Sequence, residues 1–156
     1  MHDSRPNEDH LKENKQMYVN IRKIFERCSA KQKVLLEEFG ITHSQYNILR
    51  ILRGVYPSAL SVKEILKRMI VGSPDVTRMV DRLCSKKLVQ RAPNEDDKRK
   101  MDISISLTGV NLLVELNPKM EQTVNNFFIN EVPLDEARKM NQTLNKMLET
   151  LEEVSS

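Results

Sequence analysis

A change of apolar period inside residues 73–108, SPDVTRMVDRLCSKKLVQRAPNEDDKRKMDISISLT, constrains the fold of this chain more than any other feature. Val76, Met79, Val80 and Leu83 recur at three- and four-residue spacing, which buries one side of a helix and turns Thr77, Arg78, Asp81 and Arg82 away from the core. From Leu88 the spacing changes. Residues 88–91 suit a strand, and Met101, Ile103 and Ile105 alternate with Asp102 and Ser104 at the two-residue period of a half-buried strand. The polar run 93–100 joins the two strands as a hairpin loop. A helix, a tight turn and a charged hairpin in this order describe a winged helix-turn-helix. Short polar side chains and Arg78 at the head of the helix fit an element that enters a DNA major groove. Lys98, Arg99 and Lys100 at the end of the loop are placed to reach a flanking minor groove.

Around this stretch the chain reads as helices. Apolar positions between 8 and 39, among them Leu11, Met17, Tyr18, Ile21, Ile24 and Phe25, keep helical spacing until Gly40, a natural stop. At 1.5 Å per residue such a helix spans roughly 45 Å, more than a small domain covers. A second subunit is the simplest cover for its N-terminal half. Thr42 with Gln45, and Ser61 with Glu64, form capping boxes that open the second and third helices, with residues 59–60 as a very short strand between them. Ser73 and Pro74 stand where an N-cap and a first helical residue belong, so the recognition helix is expected over 74–87. Ser106 caps a fifth helix that Pro118 should kink or divide, and Pro133 starts a sixth through Leu134, Met140, Leu144, Met147, Leu148 and Leu151. The expected fold is mainly α with a small β-hairpin wing: a winged helix-turn-helix flanked by N- and C-terminal dimerisation helices. It forms one domain over 1–156, with 42–106 as the DNA-binding lobe and 8–40 and 107–154 as dimerisation helices.

Charge follows the same map. Residues 63–100 hold eleven Lys and Arg against six Asp and Glu, a net +5, while the rest of the chain nets −2. A solvated charged face is the competing explanation for charge taken alone. Other classes fall away. Cys28 and Cys84 give no disulfide framework and suit a reducing cytoplasm. No apolar run has the length of a membrane span, and the first ten residues lack the apolar stretch of a secretory signal. His2, His10 and His43 show no ligand spacing with the cysteines, so no metal is expected. No nucleophile, base and oxyanion-donor grouping suggests an enzyme, and no cofactor is implied.

Leu83, the run Leu88-Val89-Gln90-Arg91, the wing triplet Asp97-Lys98-Arg99 and the run Ile103-Ser104-Ile105-Ser106 stand in an order and spacing that resembles the MarR family of bacterial transcription regulators. The likeness extends helix by helix over nearly the whole chain. Two positions depart from the pattern. Lys87 stands where many members have glycine, so either it adopts left-handed backbone at a cost or the turn differs. Leu107-Thr108 looks like the family's strand-closing pair but lies two residues too far from Asp97. Ile105-Ser106 is therefore the preferred register, with Gly109 in the first turn of the next helix.

The resemblance implies a homodimer, repressor or activator, on a pseudo-palindromic operator in double-stranded DNA. Thr77 and Arg78 would meet base edges, Ser73 and Asp75 phosphates or bases, and Arg82 phosphate. Arg99 would enter the minor groove with Asp97 bracing it, Lys98 and Lys100 would attract phosphate, and Arg91 would support the base of the wing through an acidic partner. Plainer roles compete: Ser73 as a helix cap alone, Arg78 in a surface ion pair with Asp75 or Asp81, the wing as a solvated hairpin tip. Relatives often take small aromatic or anionic ligands between the dimer helices and the DNA lobe. Tyr18, Tyr46 and Cys28 are the candidates to line such an effector pocket, with core packing as the alternative. A redox role for Cys28 would require thiolate character and access. The rival to DNA binding is a winged-helix protein–protein module in which the wing charges are incidental.

Overall fold

The computed structural model describes residues 7–69 and 75–154, with backbone alone for residues 152 and 154. The elements follow in the expected order: α1 (Glu8–Glu38), α2 (His43–Gly54), α3 (Val62–Arg68), α4 (Val76–Ser85), β1 (Val89–Pro93), β2 (Met101–Ile105), α5 (Leu107–Glu131) and α6 (Leu134–Val154). Short polar side chains set the starts. The Gln45 N–H donates to Thr42 Oγ1 at 3.3 Å while the Thr42 N–H donates to Gln45 Oε1 at 3.0 Å, and Ser61 with Glu64 repeats this reciprocal pair at the head of α3.

The helices α1 and α4 stop in one way. After α1, Gly40 has φ 66°, its N–H donates to Glu37 O at 2.9 Å, and the Ile41 N–H donates to Leu36 O at 3.1 Å. After α4, Lys87 has φ 57°, its N–H donates to Cys84 O at 2.8 Å, and the Leu88 N–H donates to Leu83 O at 3.0 Å. Both are Schellman motifs, each closed by a buried apolar pair, Leu36 with Ile41 and Leu83 with Leu88. Lys87 therefore takes the left-handed conformation, and the turn itself is unchanged. A side chain there costs roughly 1–2 kcal/mol, whereas glycine gives up about 0.5–1 kcal/mol of chain entropy instead. Lys87→Gly should accordingly raise the unfolding free energy by about 0.5–1 kcal/mol, read as a higher urea midpoint at unchanged slope. A lower midpoint would show that the lysine side chain contributes more than its backbone costs.

Backbone contacts divide the chain into two compact units, Met1–Met120 and Glu121–Ser156. In the first, Ile48, Leu49 and Leu52 of α2 share a fully buried cluster with Ile65 of α3, Leu83 of α4 and Ile103 of β2. Burial of such a side chain is worth about 1.5–3 kcal/mol. The strands pair antiparallel with Val89 opposite Ile105, Arg91 opposite Ile103 and Pro93 opposite Met101. Leu60 adds one bridge to Ile103, N–H to O at 2.9 Å in each direction, so the short strand expected at 59–60 is present as a single residue pair. On α1 the side chains of Leu11, Met17, Tyr18, Ile21, Ile24 and Phe25 are exposed. In the second unit Leu134, Met140, Leu144, Met147, Leu148 and Leu151 of α6 are exposed as well.

Two expectations shift. The helix α5 runs through Pro118 without dividing: the proline removes one hydrogen bond and crowds the preceding turn, but the flanking turns keep their own bonds. The recognition helix is described from Val76 to Ser85, where 74–87 was expected. Lys86 is its C-cap and Lys87 already lies in the reversing turn, while Ser73 and Pro74 lie outside the described residues.

Candidate nucleic-acid interface

The two-residue period of β1 puts Val89 and Arg91 on one face of the hairpin. Val89 enters the core. Arg91, nearer the loop, reaches α4: its Nη1 lies 2.5 Å from Asp81 Oδ1, and its Nη2 donates to Thr77 O at 3.3 Å. One side chain thereby ties the base of the wing to the first two turns of the recognition helix, and Asp81 is the acidic partner expected for it. With Asp81 engaged, Arg78 pairs with Asp75 at 3.7 Å. That contact is loose and exposed, so it holds the guanidinium with little energy. Thr77 and Arg82 are exposed on the same helix, and Arg82 has no ion-pair partner among the described residues. Asp75 is the N-cap residue, but its side chain makes no capping bond.

The loop 94–100 is built around one residue that the sequence reading did not single out. The Asn94 Oδ1 accepts the N–H groups of Asp96 and Asp97 at 3.1 and 2.9 Å, and its Nδ2 donates to both carboxylate oxygens of Asp102 at 3.1 and 3.0 Å. Its backbone N–H donates to Lys100 O at 3.0 Å, and the Lys100 N–H donates to Asp97 O at 2.8 Å. The available signal was an asparagine in first place after a strand, where its side chain can close a turn on the residues that follow. Asp97 then braces Arg99 as expected: its Oδ1 accepts from both the backbone N–H and Nε of Arg99 at 3.1 Å. The Arg99 side-chain bond first, then the backbone bond, hold the Asp97 carboxyl below the usual carboxylate range, and the Lys100 charge adds to them. Beyond that brace Arg99 is free: its side chain is 91% exposed. Lys98 is exposed, and Lys100 lies 3.5 Å from Asp97 Oδ2.

The chain then leaves the wing through a buried polar junction. Ser106 Oγ donates to Lys87 O at 2.7 Å and accepts the Gly109 N–H at 3.0 Å, while the Ser106 N–H donates to Leu88 O at 3.0 Å. A Cβ built on Gly109 would lie 2.3 Å from Leu88 O. Ser106 is thus the cap of α5, with Gly109 in its first turn, in the register preferred from the sequence. Cys84 is half-buried and packs against the core.

The three effector-pocket candidates fare differently. Tyr46 is buried, and its hydroxyl donates to Asn117 Oδ1 at 2.9 Å. Tyr18 is exposed beside an open groove of about 430 Å³, lined by Val19, Arg22, Lys23, Glu26 and Arg27 of the same helix. Cys28 is half-buried with a free thiol, and neither it nor Tyr46 lines that groove. Among the described residues, no cluster of His, Cys, Asp and Glu could hold a metal ion and no helix is long and apolar enough to cross a membrane.

Comparison with known proteins agrees with this geometry. The MarR family model matches residues 41–101, which hold α2, α3, α4, β1 and the loop 94–100. The HTH-type transcriptional repressor MdtR of Bacillus subtilis is 32% identical over 91 residues, 58% of this chain and 57% of MdtR, so the match spans little more than half of that protein's length. The uncharacterized HTH-type transcriptional regulator YwoH of the same organism is 31% identical over 107 residues, covering 69% of this chain and 76% of YwoH. Among solved structures, Bordetella bronchiseptica BpsR, described in a study of how 6-hydroxynicotinic acid regulates its DNA binding, superposes with a TM-score of 0.71 at 23% identity, over 94% of this chain and 96% of that one. Members of this family are transcription regulators and not enzymes. With the wing, the recognition helix and the motif spacing already in place, these matches put the chain in the MarR family of DNA-binding transcription regulators.

Proposed function

We propose that the chain acts as a homodimer on a pseudo-palindromic operator, each α4 in a major groove and each wing at the adjacent minor groove. The observation that carries this reading is the Arg91 tie, which fixes the base of the wing against the exposed polar face of α4, with the exposed Arg99 at the wing's tip. Thr77 and Arg78 read base edges, Asp75 and the N-terminal Ser73 assist, Arg82, Lys98 and Lys100 meet phosphate, and Arg99 enters the minor groove. Two symmetry-related heads require half-sites separated by about 34–36 Å or a multiple of it. The uncovered apolar side chains of α1, and separately those of α6, support dimerisation through the terminal helices. Light scattering at working concentration should return twice the chain mass. A cytoplasmic site of action and a small anionic aromatic effector fit the same reading, the latter by analogy with BpsR. The protein–protein module is not favoured, since MdtR and YwoH carry the names of transcription regulators.

The test starts from a duplex selected by the wild-type protein out of a random-sequence pool. Arg78→Ala and Arg99→Ala should each weaken binding to it by about 5- to 150-fold, the range of a lost specific arginine contact. Arg78→Ala should also flatten the preference for the selected duplex over an unselected one. Unchanged affinity in both variants removes the DNA-reading assignment.

A further inference from the structure

The loop 94–100 carries Glu95, Asp96 and Asp97 against Lys98, Arg99 and Lys100, so its formal charge is zero. Attraction to a phosphate backbone therefore cannot come from composition and depends on which charges the loop turns outward. Lys98, Arg99 and Lys100 are exposed together with Glu95 and Asp96, Arg99 at 91%, and the one carboxylate turned inward is Asp97, only 25% exposed. Asn94 is what holds Asp97 there. Its carbonyl takes the Asp97 N–H, and its amide is anchored on the carboxylate of Asp102, the second residue of β2, which faces Ala92 across the ladder. The amide has one sensible orientation, because both loop groups it meets are donors and both strand atoms it meets are acceptors.

We infer that Asn94 is a positioning residue for DNA binding, acting through Asp97 on the Arg99 guanidinium. This rests on the reading of Arg99 as a DNA contact. The chain of bonds runs from Asp102 to Asn94, from Asn94 to the Asp97 backbone, and from the Asp97 carboxylate to Nε and N–H of Arg99. Without Asn94 two loop N–H groups lose their acceptor, Asp97 is no longer fixed, and Arg99 samples orientations that do not enter the groove. An aspartate at this position keeps the acceptor for the loop but sets a second carboxylate against Asp102, which drives the loop off the strand. The reciprocal exchange restores the bond with donor and acceptor swapped and with the original net charge.

The experiment is a double-mutant cycle on the selected duplex, with the full-length chain. Asn94→Ala should weaken binding about tenfold when Arg99 is present and less than about twofold in the Arg99→Ala background, a coupling expected of groups in one hydrogen-bonded network. Asn94→Asp should weaken binding as much or more, and Asn94→Asp with Asp102→Asn should bring it back to within about threefold of wild type. Urea midpoints should stay close to wild type throughout, since the loop is exposed. Equal losses from Asn94→Ala with and without Arg99, no loss at all, or failure of the exchanged pair to restore binding would each overturn the inference. Loss of any effect from Arg99→Ala itself would instead overturn the DNA-contact reading on which it stands.

Discussion

Gly109→Ala should destabilise the protein by about 3 kcal/mol, at the upper end of the usual cost of overpacking. The methyl group would sit 2.3 Å from Leu88 O and 2.8 Å from Ile105 Cγ1. The side chain could rotate aside. The carbonyl cannot, because it accepts the Ser106 N–H and belongs to the turn that leaves α4. Relief requires the first turn of α5 to move away from the hairpin, which breaks the Ser106 bonds to Lys87 O and Gly109 N–H as well. Urea denaturation gives the number. Gly54→Ala is the matched control: a Cβ there meets nothing within 4 Å, and at the end of α2 the change should be neutral or stabilising by up to about 1 kcal/mol. Equal stability for the two variants would mean that the Gly109 contact relaxes freely.

The second large effect is on DNA affinity. If Arg82, Lys98 and Lys100 of two protomers neutralise about six phosphates, raising salt from about 50 to 200 mM should weaken binding roughly 10³-fold, with a log–log slope near −5. Lys98 is the cleanest probe, because it is exposed and has no ion pair among the described residues, whereas Lys100 lies 3.5 Å from Asp97. Lys98→Ala in both protomers should reduce the slope by about 2 while leaving the preferred duplex unchanged. Fluorescence anisotropy across a salt series measures both quantities. A flat salt response would remove the phosphate role of these residues and revive the protein–protein reading.

Local chemistry was readable in advance wherever it acts over a few residues. Thr42 with Gln45, Ser61 with Glu64, and the Ser106–Gly109 register follow from side chains that satisfy backbone groups three positions away, and Gly40 from the left-handed backbone that glycine adopts freely. The apolar periods placed the helices and the wing for the same reason. The role of Asp81 was harder. From the sequence Asp75 and Asp81 compete equally for Arg78, and only the reach of Arg91 across from β1 decides between them. Asn94 was missed because its partner Asp102 lies on the returning strand, eight residues away, and looked like an ordinary solvent-facing position in an alternating pattern. The recognition helix ends two residues before the expected 87 because Lys86 and Lys87 have good helix propensity, and only the family's glycine at position 87 hinted at left-handed backbone there. At Pro118 the expected division does not occur, because the turns on either side keep their own hydrogen bonds.

Because Ser106 grips both the carbonyl of Lys87 and the amide of Gly109, the tail of the recognition helix and the root of α5 behave as one mechanical piece. Any tilt imposed on that root is delivered to the polar face of α4 through bonds with no residue between them. If the hairpin tip touches DNA as proposed, sequence change there, clear of this joint, would alter operator preference while leaving the joint intact.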